Sequence, residues 1–314
     1  MSDHSTHPRR VRPLVIVGPT AAGKSALAVG LADRFRDRGT AVELINADSM
    51  QVYRGMDIGT AKASETERIR IPHHLLDVVE PSEEFSVAEF VRLANDALDD
   101  IHARGSLPII VGGTGLYVQA LVDGMRIPGQ FPEERASLEA NPDTSALYRE
   151  LMDTDPVAAE RIDPNNRRRI VRALEVSRGS GRPFSSYGDG FDSYPETDFV
   201  MVGIEMDRED LGTRIRQRLD RLVEDGFVDE VRRLQSGPAL SKTASRALGY
   251  SEIQGYLAGE TDLATAVETT ALRTRQFSVR QIKWFRRDPR IKWFDYNRGH
   301  NEIIGEVQQH WLSQ

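Results

Sequence analysis

Short apolar runs alternate along this chain with segments whose apolar residues recur at helical spacing. Leu14 to Val17 is a continuous apolar run of strand length, followed by a loop and a helix beginning near Lys24. A second strand, Val42 to Asn46, follows at the separation a βαβ crossover requires. Ser86 opens the next helix with the pattern of a capping box, because Glu89 lies three residues on and Phe90, Leu93, Ala97 and Ile101 then keep helical spacing. After Gly105, "LPIIVGGTGLYVQALV" reads as a strand, a glycine turn and a helix. From Met125 to about Thr197 the pattern changes to polar, proline-punctuated helices with no strand, which predicts an insertion. A strand over Phe199 to Glu205, a long helix over Asp262 to Arg286, a short strand over Ile291 to Phe294 and a terminal helix complete the chain. The fold class this predicts is α/β, a parallel sheet flanked by helices, carrying a mostly helical insertion. Its expected parts are a disordered tail at 1–12, a core made of 13–124 with 198–314, and the insertion at 125–197.

Composition changes that picture little. The 314 residues are 39% hydrophobic and 28% charged, ordinary for a globular chain of this length. The absence of cysteine excludes disulfides, thiolate zinc sites and cysteine nucleophiles. No apolar run approaches the roughly 18 residues of a membrane span, and the polar N-terminus has no apolar core of a signal peptide, so a cytoplasmic protein without a membrane partner is expected. The formal net charge of −7 argues against a polyanionic partner, but local clusters decide such binding. Two clusters stand out. Arg161 to Arg182 carries Arg161, Arg167, Arg168, Arg169, Arg172, Arg178 and Arg182 against Asp163 and Glu175, and Arg273 to Lys292 carries eight basic residues against Asp288.

The candidate chemistry begins at "GPTAAGKS": Gly18, Pro19, Thr20, Ala21, Ala22, Gly23, Lys24 and Ser25. This is G-x-x-x-x-G-K-[ST] with a strand before it and a helix after it, so the sheet is predicted to be P-loop NTPase-like. Glycines let successive amides face one anion, the helix N-terminus adds partial positive charge, Lys24 adds a full one, and the Ser25 hydroxyl can ligate Mg²⁺. The motif specifies a di- or triphosphate, of which ATP is one example. Asp48 follows the second strand and should project beside this loop, since open α/β sheets bind ligands at the carboxyl ends of their strands. Three roles compete for it: a cap of the following turn, a magnesium ligand of a kinase, and a general base. Ser49, Met50, Gln51 and Tyr53 behind it are suited to holding a planar base. His73 and His74 lack partners at zinc-like spacing and read as structural.

Taken in order, "GPTAAGKS", "NADSMQVYRGMDIGTAKA", "IPHHLLDVVEPSEEFSVAEF", "IIVGGTGLYVQALVDG", "DPNNRRRIVRALEV", "SRALGY" and "TRQFSVRQIKWFRRDPRIKW" resemble bacterial tRNA dimethylallyltransferases from about Leu14 to Phe294. The chain departs at Arg168, where that family commonly has glutamine. The resemblance implies transfer of a dimethylallyl group from dimethylallyl diphosphate to the exocyclic amine of the adenosine just 3′ of the anticodon, in tRNAs reading codons that begin with U. It makes the phosphate loop the holder of the leaving diphosphate, Asp48 the general base and Arg218 a stabiliser of the leaving group. Met50, Ser49, Gln51, Thr114 and Arg135 then sit near the RNA, and a base extruded from the anticodon arm must enter the protein. Arg168, Arg169, Arg172, Arg246, Tyr250, Arg280, Gln281, Lys283 and Arg286 become further tRNA contacts, Mg²⁺ at Ser25 the cofactor, and the protein a monomer. The residues alone leave room for a nucleoside kinase with an arginine-bearing lid, an ATP-gated RNA-binding module, and a prenyltransferase acting on free adenine nucleotides.

Overall fold

The structure, a computed structural model, describes residues 11–188 and 190–314. Residues 1–10 of the expected tail lie outside the described residues. Arg12 belongs to the core instead: its guanidinium donates to the carbonyls of Thr197, Asp198 and Phe199, and its own carbonyl accepts from the Trp311 indole at 2.6 Å.

The chain divides into two compact units, one formed by the segment up to Val122 together with Glu196–Gln314, the other by Asp123–Pro195. The first is built on β1 (Leu14–Val17), β2 (Val42–Asn46), β3 (His73–His74), β4 (Leu107–Val111), β5 (Val200–Glu205) and β6 (Lys292–Asp295). All pair in parallel in the order β3-β2-β4-β1-β5-β6. Leu14, facing Ile109 on one side and Val200 on the other, fixes the register of the central strand. β1 is buried throughout, as its unbroken apolar run requires when helices cover both faces of a parallel sheet.

Between the strands run α1 (Lys24–Arg36), α2 (Glu65–Arg70), α3 (Val87–Ala103) and α4 (Gly115–Val122). Ser86 accepts the Glu89 amide at 3.2 Å and starts α3, whose Phe90, Ala94, Ala97, Leu98 and Ile101 turn inward. Ser64 and Glu67 close a reciprocal capping box on α2.

The second unit contains α5 (Pro132–Ala140), α6 (Thr144–Thr154), α7 (Pro156–Arg161) and α8 (Arg167–Ser180) around a small core of Leu138, Leu147, Leu151, Ile170 and Leu174. Its limits fall slightly before the expected 125–197 at both ends. Each such buried leucine or isoleucine contributes about 1.5–3 kcal/mol. Asp143 caps α6 through the Ala146 amide at 3.0 Å.

The chain then returns through β5 to α9 (Arg208–Glu224), α10 (Phe227–Gln235), α11 (Tyr250–Leu257), α12 (Leu263–Phe285) and α13 (His300–Leu312). The Thr197 hydroxyl donates to the Val122 carbonyl at 3.0 Å, closing the two ends of the first unit on each other.

Candidate active site

The loop between β1 and α1 has the shape its motif demands. Ala21 (φ 68°) and Gly23 (φ 95°) both adopt left-handed backbone, the alternation that turns successive amides toward one concavity. Gly23 is also required by contact, because a Cβ there would lie 2.4 Å from the Tyr296 ring. Lys24 stands at the start of α1 and donates its ammonium to the Pro19 carbonyl at 2.8 Å. Burial lowers its pKa to about 8, Asp48 opposing and Arg218 adding to the shift. The concavity is therefore cationic, with a lysine whose proton is held less tightly than usual.

Asp48 follows β2 by two residues and is fixed by its neighbours. Its amide donates to Asn46 Oδ1 at 3.0 Å, while Oδ1 of its carboxylate accepts the Met50 amide at 2.9 Å. Asn46 is itself buried and ties Asp48 to the far segment by donating to the carbonyls of Asp48 and Leu75, both at 3.1 Å. Thr114, directly before α4, turns its hydroxyl away from the helix and accepts the Ser49 amide at 3.0 Å. Its backbone carbonyl accepts the Val118 amide at 3.1 Å and starts the helix.

Arg218 lies on the inward face of α9, seven residues after buried Leu211 and three after buried Ile215. Arg216 and Arg221, by contrast, are exposed, and Arg216 pairs with Asp220 and Glu268. Burial lowers the pKa of Arg218, with the Asp48 carboxylate acting in the opposite sense. Its Nη2 donates to the Thr60 carbonyl at 3.3 Å, and the same carbonyl accepts Gln51 Nε2 at 3.1 Å. The structure thus brings together the phosphate loop, Lys24, Asp48, Ser49, Met50, Gln51, Thr114 and Arg218.

The segment from Gln51 to Lys62 is held by two buried charges that the sequence reading overlooked. Glu230 accepts the consecutive amides of Asp57, Ile58 and Gly59 at 2.8, 2.7 and 3.0 Å. Lys62 reaches Asp57, Asp77 and the Tyr53 carbonyl. Glu230 was detectable in principle, as it shares the inward face of α10 with Phe227 and Val231.

Tyr250 corrects an expectation. It is 1% exposed and donates its hydroxyl to Glu230 at 2.7 Å, so it braces this segment rather than meeting RNA. Gln281 is also buried, bonded to the Thr20 amide and the Gly113 carbonyl. Arg280, Lys283, Arg286 and Arg246 are exposed, with Arg286 lying over the Trp293 ring at 4.3 Å and paired with Glu205.

In the second unit Arg168 and Arg169 are exposed. Arg172 and Arg135 turn instead onto buried Glu175 at 2.6 and 3.3 Å, joining α8 to α5. Arg172 also donates to the carbonyls of Pro128 and Gly129. His74 contacts Glu43 at 2.7 Å and His73 the Ile71 carbonyl at 2.6 Å, both within the fold's own framework.

Ser25 is exposed in the first turn of α1. Among the described residues no group of three or more acidic, histidine or cysteine side chains is arranged to hold a metal ion. A serine hydroxyl at the end of a phosphate loop offers a hard oxygen, and Mg²⁺ beside a phosphate group takes most of its ligands from phosphate and water. The donor set fits that ion.

The family model described as IPP transferase matches residues 51–288. The chain belongs to the IPP transferase family. Within it, the chain is 49% identical to a tRNA dimethylallyltransferase of Thermobifida fusca, with 90% of each chain covered. To the enzyme of the same name from Bifidobacterium animalis subsp. lactis it is 47% identical, over 90% of this chain and 82% of that one. Its fold is similar to the crystal structure of the full-length tRNA isopentenylpyrophosphate transferase of Bacillus halodurans, with TM-score 0.69, 39% identity, and 96% and 97% of the two chains covered. A eukaryotic dimethylallyltransferase acting on tRNA gives TM-score 0.77 at 28% identity, over 96% of this chain and 80% of that one.

Proposed function

We propose that this IPP transferase family member is a tRNA dimethylallyltransferase, which moves a dimethylallyl group from its diphosphate to N6 of the adenosine 3′ to the anticodon. The observation that carries this reading is the meeting of a phosphate loop, Asp48 and Arg218 in one electrostatic neighbourhood. A phosphate loop alone serves kinases equally well. A fixed carboxylate beside it, on a turn rich in amide and hydroxyl groups, supplies what an adenine amine needs.

In this reading the amides of Gly23, Lys24 and Ser25, with the Lys24 ammonium, hold the diphosphate, while the Thr20 amide is taken by Gln281. As the allylic carbon–oxygen bond breaks, its electron pair goes to the diphosphate, and Lys24 and Arg218 stabilise the charge where it develops. The N6 nitrogen forms the new carbon–nitrogen bond, and its proton passes to Asp48 as that bond forms, because the amine lone pair is delocalised into the ring. Ser25 would help hold Mg²⁺, which when bound neutralises part of the leaving group's charge.

Thr114 and Gln51 line the approach of an extruded adenosine, and the exposed Arg168 and Arg169 of the second unit and Arg246, Arg280, Lys283 and Arg286 of the first supply phosphate contacts. We infer that the enzyme acts as a monomer in the cytoplasm, on tRNAs reading codons that begin with U. No helix among the described residues is long and apolar enough to cross a membrane.

The test is incubation with unmodified tRNA, Mg²⁺ and radiolabelled dimethylallyl diphosphate, beside a tube with ATP in its place. Label should enter the tRNA without ATP, and Asp48→Ala should slow transfer at least about a hundredfold while tRNA still binds. ADP formation in the second tube with no label in the first would return the chain to kinase chemistry.

A further inference from the structure

The third residue of the phosphate loop, Thr20, donates its amide to Gln281 Oε1 at 2.8 Å. The other end of the same carboxamide, Nε2, donates to the Gly113 carbonyl at 2.9 Å. Gln281 comes from α12 and is only 5% exposed. One planar group therefore bridges the loop after β1 and the turn after β4.

The turn is shaped to receive it, since a Cβ at Gly113 would lie 2.3 Å from Gln281 Nε2. The next residue, Thr114, accepts the Ser49 amide beside Asp48. A continuous chain of bonds thus runs from the loop, through Gln281 and the glycine turn, to the strand end that carries the carboxylate.

We propose that Gln281 is a positioning residue of the transfer reaction: its carboxamide sets the register between the diphosphate-holding loop and the turn that steadies Asp48. This rests on the transferase reading above, and it gives Gln281 a task other than the RNA contact its place in a basic run suggests. The exposed Arg280 and Lys283 are what this part of α12 offers outward; Gln281 spends both polar atoms inward.

The bridge needs an acceptor for one amide and a donor for one carbonyl on the same rigid group. A glutamine provides both. Methionine fills similar volume and provides neither. An ionised glutamate provides two acceptors and sets one against the Gly113 oxygen, whereas a protonated glutamate restores the pattern, its hydroxyl donating to Gly113.

The experiment compares Gln281→Met and Gln281→Glu in steady-state transfer to tRNA, together with calorimetry of inorganic diphosphate binding. Gln281→Met should lower kcat about a hundredfold, the scale of an ångström-sized misplacement, and leave KM for tRNA within about twofold. Gln281→Glu should regain activity relative to the parent as pH falls from about 8 to about 6, because burial raises a carboxyl's pKa into that range.

A kcat unchanged in Gln281→Met, or a loss confined to KM for tRNA, overturns the proposal. A Gln281→Glu whose ratio to the parent is flat with pH does the same. If the parent protein transfers no prenyl group, the transferase reading fails by itself, and the calorimetry decides the bridge: weakening of diphosphate binding by at least about tenfold in Gln281→Met supports it, and unchanged affinity removes it.

Discussion

Lys24 sets how the site responds to pH. Its ammonium is lowered to about 8 by burial, against the pull of Asp48 and with the push of Arg218. A diphosphate binds the protonated form better than the neutral one, so affinity should be full below about pH 8 and decline as pH rises through that value. Calorimetric titration with inorganic diphosphate from about pH 7 to about pH 9.5 should show a several-fold loss in the parent protein. The loss should be absent in Lys24→Arg, whose guanidinium keeps its proton throughout. Equal pH dependence in the two proteins would assign the titration to another group. The neighbouring Asp48 differs in kind: its position is fixed by Asn46 and Met50, each two residues away, so its aim is decided locally.

At the scale of elements, strand β2 shows what a hydrophobic pattern conceals. Glu43 sits inside this strand, 5% exposed, and burial alone would raise its pKa. Hydrogen bonds from Arg104 and His74, with Ser106, outweigh burial and hold the carboxyl down at about 2. A depressed carboxyl contributes stability that is present above its unfolded pKa and is lost as pH falls through the folded one.

Glu43→Gln should therefore cost about 1–3 kcal/mol at neutral pH, and its gap from the parent should shrink below about pH 4. Urea unfolding at several pH values measures this, and a gap constant from about pH 7 to about pH 3 would mean that the charge is not what matters.

The same interior polarity explains what was legible in the sequence. β1, the loop Gly18–Ser25 and the helix after Ser86 announce themselves through an unbroken apolar run, glycine spacing and a cap, and β2 through its apolar Val42, Leu44 and Ile45. β3 is only His73–His74, too short and too polar for any periodicity to register. Asp48 was legible because it follows a strand next to a phosphate loop. Gln281 was seen but faced the wrong way, since its basic neighbours suggested a surface. The signal that places it inside is the spacing Thr274, Ser278, Gln281, Phe285, a buried stripe that only its last member makes apolar. Tyr250 shows the same ambiguity: an aromatic residue beside Arg246 reads as a stacking platform, yet Glu230 and Phe227 enclose it.

For the whole molecule, the net charge of −7 and the exposed basic groups are reconciled by location. Many arginines are spent on carboxylates of their own unit, as Arg135 and Arg172 are on Glu175. Arg280 and Lys283 are exposed on α12, and Arg280 lies over the Phe277 ring at 5.6 Å. Reversing both charges with Arg280→Glu and Lys283→Glu should weaken tRNA binding and reduce the slope of log affinity against log salt by about 1–2, with melting temperature little changed. An unchanged slope would place the RNA on another surface.

The pairing of β1 with β5 also dictates the order in which the protein can be completed on the ribosome. β1 is made before the other strands of the sheet, but its neighbour on that side is made only after the whole of Asp123–Pro195. Domains generally fold as units, the earlier ones first, so the small helical core of the second unit can form while the sheet is still half built. Until Val200–Glu205 emerges, Leu14–Val17 presents an open, apolar strand edge of the kind that recruits other chains. The nascent protein thus carries this apolar edge unpaired until β5 arrives, and the edge then passes to β5 until β6 closes on it.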